Sequence, residues 1–318
     1  MRLKRFATVP FGPDVHEYPQ QGHTRRRGGT ASAVEWPTLF VAVLVHGLWL
    51  CLTFYHAAVP WPLLAILGGG VIAWHGSLQH EVIHGHPTGL RWLDTAIGSA
   101  PLSLWLPYPA YRRSHIAHHA SAHITDPFDD PESHYLARDG GLRGLSARLE
   151  STLVLRLLLG PPIRVTRFLG AELAQARRDP RQALRDWAVH GATLLPLLWW
   201  LDRIGLSLGG YVFAFVYPGI ALSLLRSFAE HRADRDPARR AAIIERPGPF
   251  GLLFLNNNLH AAHHARPDLP WYRLPGYFRD NRHAFLAAPH YQGYGEVVRR
   301  FAWKPQDAIL HPDHALPE

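Results

Sequence analysis

The sequence is poor in sulfur. One cysteine, Cys51, and one methionine stand among 318 residues. A single thiol cannot build a disulfide framework, an iron–sulfur cluster or a cysteine zinc site. Lysine is nearly absent too, occurring only at 4 and 304, so arginine carries the net charge of +8. A basic balance suits nucleic acid or anionic lipid headgroups. The arginine bias itself reads as GC-rich coding, and no nucleic-acid partner is expected. No CxxC, no Rossmann glycine fingerprint and no HPGG-type haem motif occurs, so the chain shows no electron carrier of its own. The basic start has no apolar core behind it, and no secretory signal is expected. Solenoid repeats and low-complexity tails are also missing.

Against these absences stand four apolar stretches in two pairs. The first pair is 37–59 and 61–79, split by Pro60; the second is 187–201 and 208–228, split by a turn with Asp202 and Arg203. A bilayer takes roughly 20 apolar residues to cross. The third stretch is shorter and carries His190 and Pro196. The pattern predicts an all-α integral membrane protein with four transmembrane helices in two hairpins. Its parts are a tail at 1–36, a first hairpin at 37–79, a polar segment at 80–186, a second hairpin at 187–228 and a polar segment at 229–318. Arginine-rich flanks, including Arg25, Arg26 and Arg27, and nearly uncharged hairpin turns put both termini and the middle segment in the cytoplasm. A broken apolar stretch at 93–109 is expected to dip into the membrane or cover a pocket. The run at 151–168 interleaves Arg with Leu and Val, which suits an interfacial helix.

The abundant residue is histidine, with 22 copies. Imidazole is the commonest protein metal ligand. Residues 80–84, His80-Glu81-Val82-Ile83-His84, match the zinc-protease pattern HExxH. On a helix, His80 and His84 share a face. "YRRSHIAHHASAH" supplies His115, His118 and His119 as HxxHH, and "NNNLHAAHHARPD" repeats it with His260, His263 and His264. Offsets of three and four place the first histidine of each box with both others on one face. Eight imidazoles exceed the four or so that a single zinc ion takes, so two metals sharing the set is the economical reading. Imidazole suits zinc, copper, iron and nickel alike. A protease needs one further ligand and leaves both HxxHH boxes idle. His86 and His123 lie near the boxes as reserve candidates. Asp126, Asp129 and Asp130 follow the second box and suit either loop chemistry or support of its imidazoles.

The three boxes, the paired apolar hairpins and their order resemble the membrane fatty acid desaturase family over roughly residues 37–290. The resemblance implies four membrane helices with a cytoplasmic helical cap holding a di-iron site. It implies iron ligation by His80, His84, His115, His118, His119, His260, His263 and His264. His231, in "RSFAEHRAD", matches a further single histidine. Some relatives carry Asn one turn before it, where this chain has Ser227. Glu81 is then expected to accept a proton from a ligating imidazole. The implied reaction is O2-dependent desaturation of a membrane lipid, acyl chain or related amphiphile, with electrons from a separate ferredoxin or cytochrome and its reductase. A hydroxylase on the same scaffold, or a desaturase of a small non-lipid metabolite such as a modified amino acid, uses the same ligands. The expected location is the bacterial inner membrane. An intramembrane zinc protease and an iron-storing or metal-transporting protein are the contrasting readings. Transport favours ionisable residues within the spans, whereas these ligands cluster beyond them.

Overall fold

The computed structural model describes residues 34–315. The expected tail, with Arg25 to Arg27, lies outside the described residues except for its last three. Short one-turn pieces aside, the helices in chain order are α1 (Trp36–Phe54), α2 (Trp61–Ile83), α3 (Arg91–Gly98), α4 (Tyr108–Ala120), α5 (Gly141–Leu149), α6 (Leu153–Arg178) and α7 (Pro180–Arg203). They continue with α8 (Leu208–Glu230), α9 (His260–Ala265), α10 (Leu274–Asp280) and α11 (Tyr294–Phe301). A two-residue parallel pair joins β1 (Ile243–Ile244) to β2 (His290–Tyr291).

Helices α1, α2 and α8 are long and apolar enough to cross a membrane. They expose large apolar side chains: Phe40, Val43, Ile66 and Phe213 are 66–73 % open. A soluble protein does not leave such a surface uncovered. Small residues let α2 and α8 approach closely, as membrane helices do. A Cβ on Gly68 would stand 2.6 Å from the Ala214 carbonyl oxygen, and one on Gly219 would stand 2.5 Å from Ile72 Cβ. Polar bonds tie the bundle at one level. Trp49 Nε1–H donates to Tyr211 Oη (2.8 Å), and the Tyr211 hydroxyl donates to the Leu102 carbonyl (2.6 Å). Segment 93–109 therefore packs on the spanning helices, with Leu102 in their core.

Two expectations change here. The third apolar stretch lies in α7, which starts earlier, at Pro180, and takes in Arg181, Arg185 and Asp186. Buried Asp186 binds Arg113 of α4 and accepts from Gln182 Nε2 (2.8 Å). The polar turns belong to the protein's own ion pairs, and α7 is not among the helices apolar enough to span by composition. The expected interfacial helix at 151–168 is part of α6, which continues through Pro161 and Pro162 to Arg178. Arg156, Arg164 and Arg167 turn onto protein. Arg156 is buried with its guanidinium 4.9 Å from the Phe228 ring centre, while Arg164 and Arg167 hold buried Glu150, each at 2.9 Å.

The C-terminal segment straps the loop after the second histidine box. Leu136 exchanges backbone bonds with Ile309 and His311, both 2.9 Å, and Tyr135 Oη donates to Asp307 (2.7 Å). That loop carries Asp130 and Glu132, so the strap helps set their position.

Candidate metal centre

The apolar run of α2 does not stop where the first box begins. His80 lies in its last turn and His84 is its C-cap. The expected boundary between hairpin and polar segment at 79/80 thus falls inside a helix. Helical spacing holds the pair on one side. The second box forms the end of α4 and the third forms α9. His231 directly follows α8.

The fold brings all nine sequence-selected histidines together, in two groups. His80, His84, His115, His119 and His263 form one; His118, His231, His260 and His264 form the other. In each box the i, i+4 pair stays in one group. The third histidine of each HxxHH box crosses to the other: His118 leaves His115 and His119, and His263 leaves His260 and His264. The sequence expectation that His115 shares one face with both neighbours is corrected here, because a 100° step per residue lets two adjacent histidines point at two sites.

The Nε2 atoms converge. The separations are 3.2 Å for His84–His115, 3.1 Å for His119–His263, 3.3 Å for His118–His264, 3.1 Å for His260–His264 and 2.8 Å for His231–His260. His80 Nε2 is buried with no hydrogen-bond partner among the described residues. Several Nδ1 atoms instead meet partners outside the groups. His118 Nδ1 meets Asp130 (2.8 Å), His115 Nδ1 meets Glu132 (3.3 Å), His260 Nδ1 meets Asn257 Oδ1 (3.2 Å) and His231 Nδ1 meets the Arg240 carbonyl (3.2 Å). An Nδ1–H held from outside leaves the Nε2 lone pair aimed inward, the arrangement that orients metal-binding imidazoles.

Burial and mutual repulsion favour the neutral form of His119, His231, His260, His263 and His264. His260, His263 and His264 lie well below the usual histidine range, first through burial and then through neighbouring imidazoles. His119 is lowered for the same reasons, and burial brings His231 down to about 4. Burial alone would lower His118 as well, but the Asp130 bond and nearby carboxylates reverse the direction. Glu132 sits at about 2 despite burial, because His115 and its neighbours favour its anion. Neutral imidazoles with inward lone pairs fit a metal ion.

The supporting groups were partly hidden in the sequence. Asp130 is one of the three aspartates singled out after the second box. Its companions go elsewhere: Asp129 to exposed His123 (3.1 Å) and Asp126 to His314 (2.6 Å). Glu132, Asn257 and Glu230 were not anticipated, although Asn257 lies in the asparagine run before the third box and Glu230 directly precedes His231. Glu230 is buried, accepts from Asn257 Nδ2 (2.5 Å) and stands 3.7 Å from His260 Nδ1. Glu81 departs from expectation. It accepts the backbone N–H of Trp271 (3.0 Å), where an imidazole was expected. His86 pairs with Glu35 (2.7 Å) and joins neither group.

Residues 54–297 match the family model for fatty acid desaturase. No curated protein matches the chain.

Proposed function

This chain belongs to the fatty acid desaturase family, and from that premise we propose that it is an O2-dependent di-iron desaturase of a fatty acyl chain or related amphiphile. The observation that supports this most is the sorting of nine imidazoles into two adjacent groups at the end of apolar helices. Two ions fit better than one, because each group alone already offers four or five nitrogens. His80, His84, His115, His119 and His263 would hold one iron, and His118, His231, His260 and His264 the other. When bound, the pair supplies dioxygen activation and removal of hydrogen from an unactivated C–H bond. Desaturation converts –CH2–CH2– to –CH=CH–, and the two hydrogens removed, with O2, two electrons and two protons, become two waters. The protein's part is to hold the Nδ1 protons on Asp130, Glu132, Asn257 and the Arg240 carbonyl, so that the Nε2 atoms stay aimed inward.

The two electrons come from a separate ferredoxin or cytochrome and its reductase. We place α7 as a fourth crossing, since Leu195 and Trp199 on its apolar half are exposed. The histidine-bearing parts then form a cap on the cytoplasmic side of a bacterial inner membrane, with both termini on that side. Against the protease reading, one oxygen of Glu81, its required base, is engaged with the Trp271 backbone.

The test is mass spectrometry of lipid and polar extracts from cells expressing the protein under labelled dioxygen, with His118→Ala as control. A product short of two hydrogens and free of label is expected. A product carrying one labelled oxygen identifies a hydroxylase. About one zinc per purified chain, with no new product, sinks the di-iron reading.

A further inference from the structure

Arg226 is an unusual residue for its place. It lies in α8, five residues before His231, inside a segment apolar enough to span a bilayer. A charged residue at membrane depth is costly and marks a functional site with a partner. Its direction follows from the packing. Gly219 of α8 meets Ile72 of α2, and Ser223 faces Gly76. Arg226 and Glu230 continue that stripe at helical spacing, toward the turn of α2 that carries His80. The charge of Arg226 is felt at both His80 and His263 of the five-histidine group.

The guanidinium shares its ion-pair partner with other donors. Arg226 Nε lies 3.5 Å from Glu230, a carboxylate already shared with Asn257 and close to His260. The other nearby carboxylate, Glu132, is engaged with His115. Arg226 Nη1 is buried with no partner among the described residues. Tyr111 lies beside the guanidinium, and Tyr294, near both Arg226 and Glu230, has a buried hydroxyl equally without a partner. Of the Arg226 side chain 14 % remains open, and of the Glu132 side chain 30 %.

We infer that Arg226 is a carboxylate anchor: its free Nη1–H, with the Tyr294 hydroxyl, receives the anionic head of a carboxylic-acid substrate inside the bundle, next to the five-histidine group. Arginine is suited to this because its planar fork matches a carboxylate. A buried guanidinium whose anion is shared with other donors gains from a second one, and dications at the histidines would add to the positive field. An ester, amide or alcohol head offers no compensating charge. Five helical residues separate Arg226 from His231, about 7.5 Å along the axis. A substrate held there presents its first few carbons to the centre, so oxidation falls near the carboxyl rather than mid-chain. The inference rests on the desaturase reading for its chemistry, but its test reads binding.

The experiment uses the purified, iron-loaded protein in non-ionic detergent without reductant. Titration calorimetry compares octanoate with 1-octanol, which share a chain and differ in charge. Wild type is expected to favour octanoate by tenfold or more. Arg226→Gln should erase that preference, Arg226→Lys should keep part of it, and Tyr294→Phe should weaken octanoate several-fold. Equal binding of the two probes by wild type overturns the anchor, as does Arg226→Gln with undiminished octanoate affinity. Should Arg226→Gln fail to fold, wild type and Tyr294→Phe decide: selectivity reduced by Tyr294→Phe supports the anchor, and selectivity untouched by it overturns the assignment. Iron analysis of the same samples reads the metal assignment separately.

Discussion

The five-histidine group and the four-histidine group use one side chain at one spacing, yet they are held differently. The five-histidine group hangs on the end of a membrane-crossing helix. His80 and His84 close α2, and of the bonds that hold its rings from outside, His115 to Glu132 is a loose 3.3 Å. The four-histidine group is built without α2. Three of its four imidazoles are pinned through Nδ1: His118 by Asp130, His260 by Asn257 and His231 by the Arg240 carbonyl. Asp130 is itself fixed, accepting the backbone N–H groups of Thr125 and Glu132, both at 2.8 Å. Precision in one group comes from a hydrogen-bonded shell, and in the other from a packed helix. Arg226, with its unpartnered Nη1, stands beside the second kind.

Removing a ligand should have the largest effect and should hit each group separately. His263→Ala and His118→Ala are expected to abolish turnover and to lower iron toward one ion per chain by elemental analysis. Full iron with full rate in either variant would falsify the assignment. The next effect tests the pinned shell. Asp130→Asn should cost about 10–100-fold in iron affinity or rate, and Glu132→Gln less, because its contact is longer. Equal losses would erase the contrast between the groups.

The packed helix is tested by Gly219→Ala. Its new Cβ meets Ile72 at 2.5 Å, and such overpacking costs about 1–3 kcal/mol. A lower melting temperature is expected, with iron lost first from the five-histidine group. An unchanged melting temperature would show that α2 and α8 can separate without consequence. The smallest catalytic effect is expected from Glu81→Ala, which removes an acceptor from the Trp271 backbone and should slow turnover without ending it. Complete loss of activity, with iron retained, would return Glu81 to the reaction itself.

The pH response has a definite sign in the metal-free protein. His119, His260, His263 and His264 bind protons less readily folded than unfolded, and His231 falls to about 4. The unfolded chain therefore takes up more protons as pH falls below about 6.5, the ordinary histidine value. Stability should drop from that point downward, and His118, shifted the other way, offsets only part. Thermal unfolding between pH 7.5 and 5.5 checks this; a melting temperature rising with acidity contradicts it.

Much of the site was legible because metal binding leaves a short-range mark. Ligands on one helix must recur at offsets of three or four, and the three boxes show those offsets in plain sequence. The groups that aim them leave no such mark. Asn257 and Glu230 serve His260 from two different segments, and nothing in their spacing separates them from caps or surface residues. Glu81 misled for the same reason, since adjacency to His80 says nothing about the direction of a side chain 100° away. The arginines of α6 looked like headgroup contacts because Leu, Val and Arg alternate there. Only the position of Glu150 and Phe228 shows that they turn inward.

By itself the sequence determined the nine candidate histidines, the helical character and the apolar lengths of α1, α2 and α8, because these depend on composition and on neighbours within one or two turns. The tertiary structure decided how nine histidines divide into five and four, which carboxylate holds which ring, and where Arg226 sits. Those depend on contacts between residues tens to more than a hundred positions apart, such as His119 with His263, and no local periodicity encodes them.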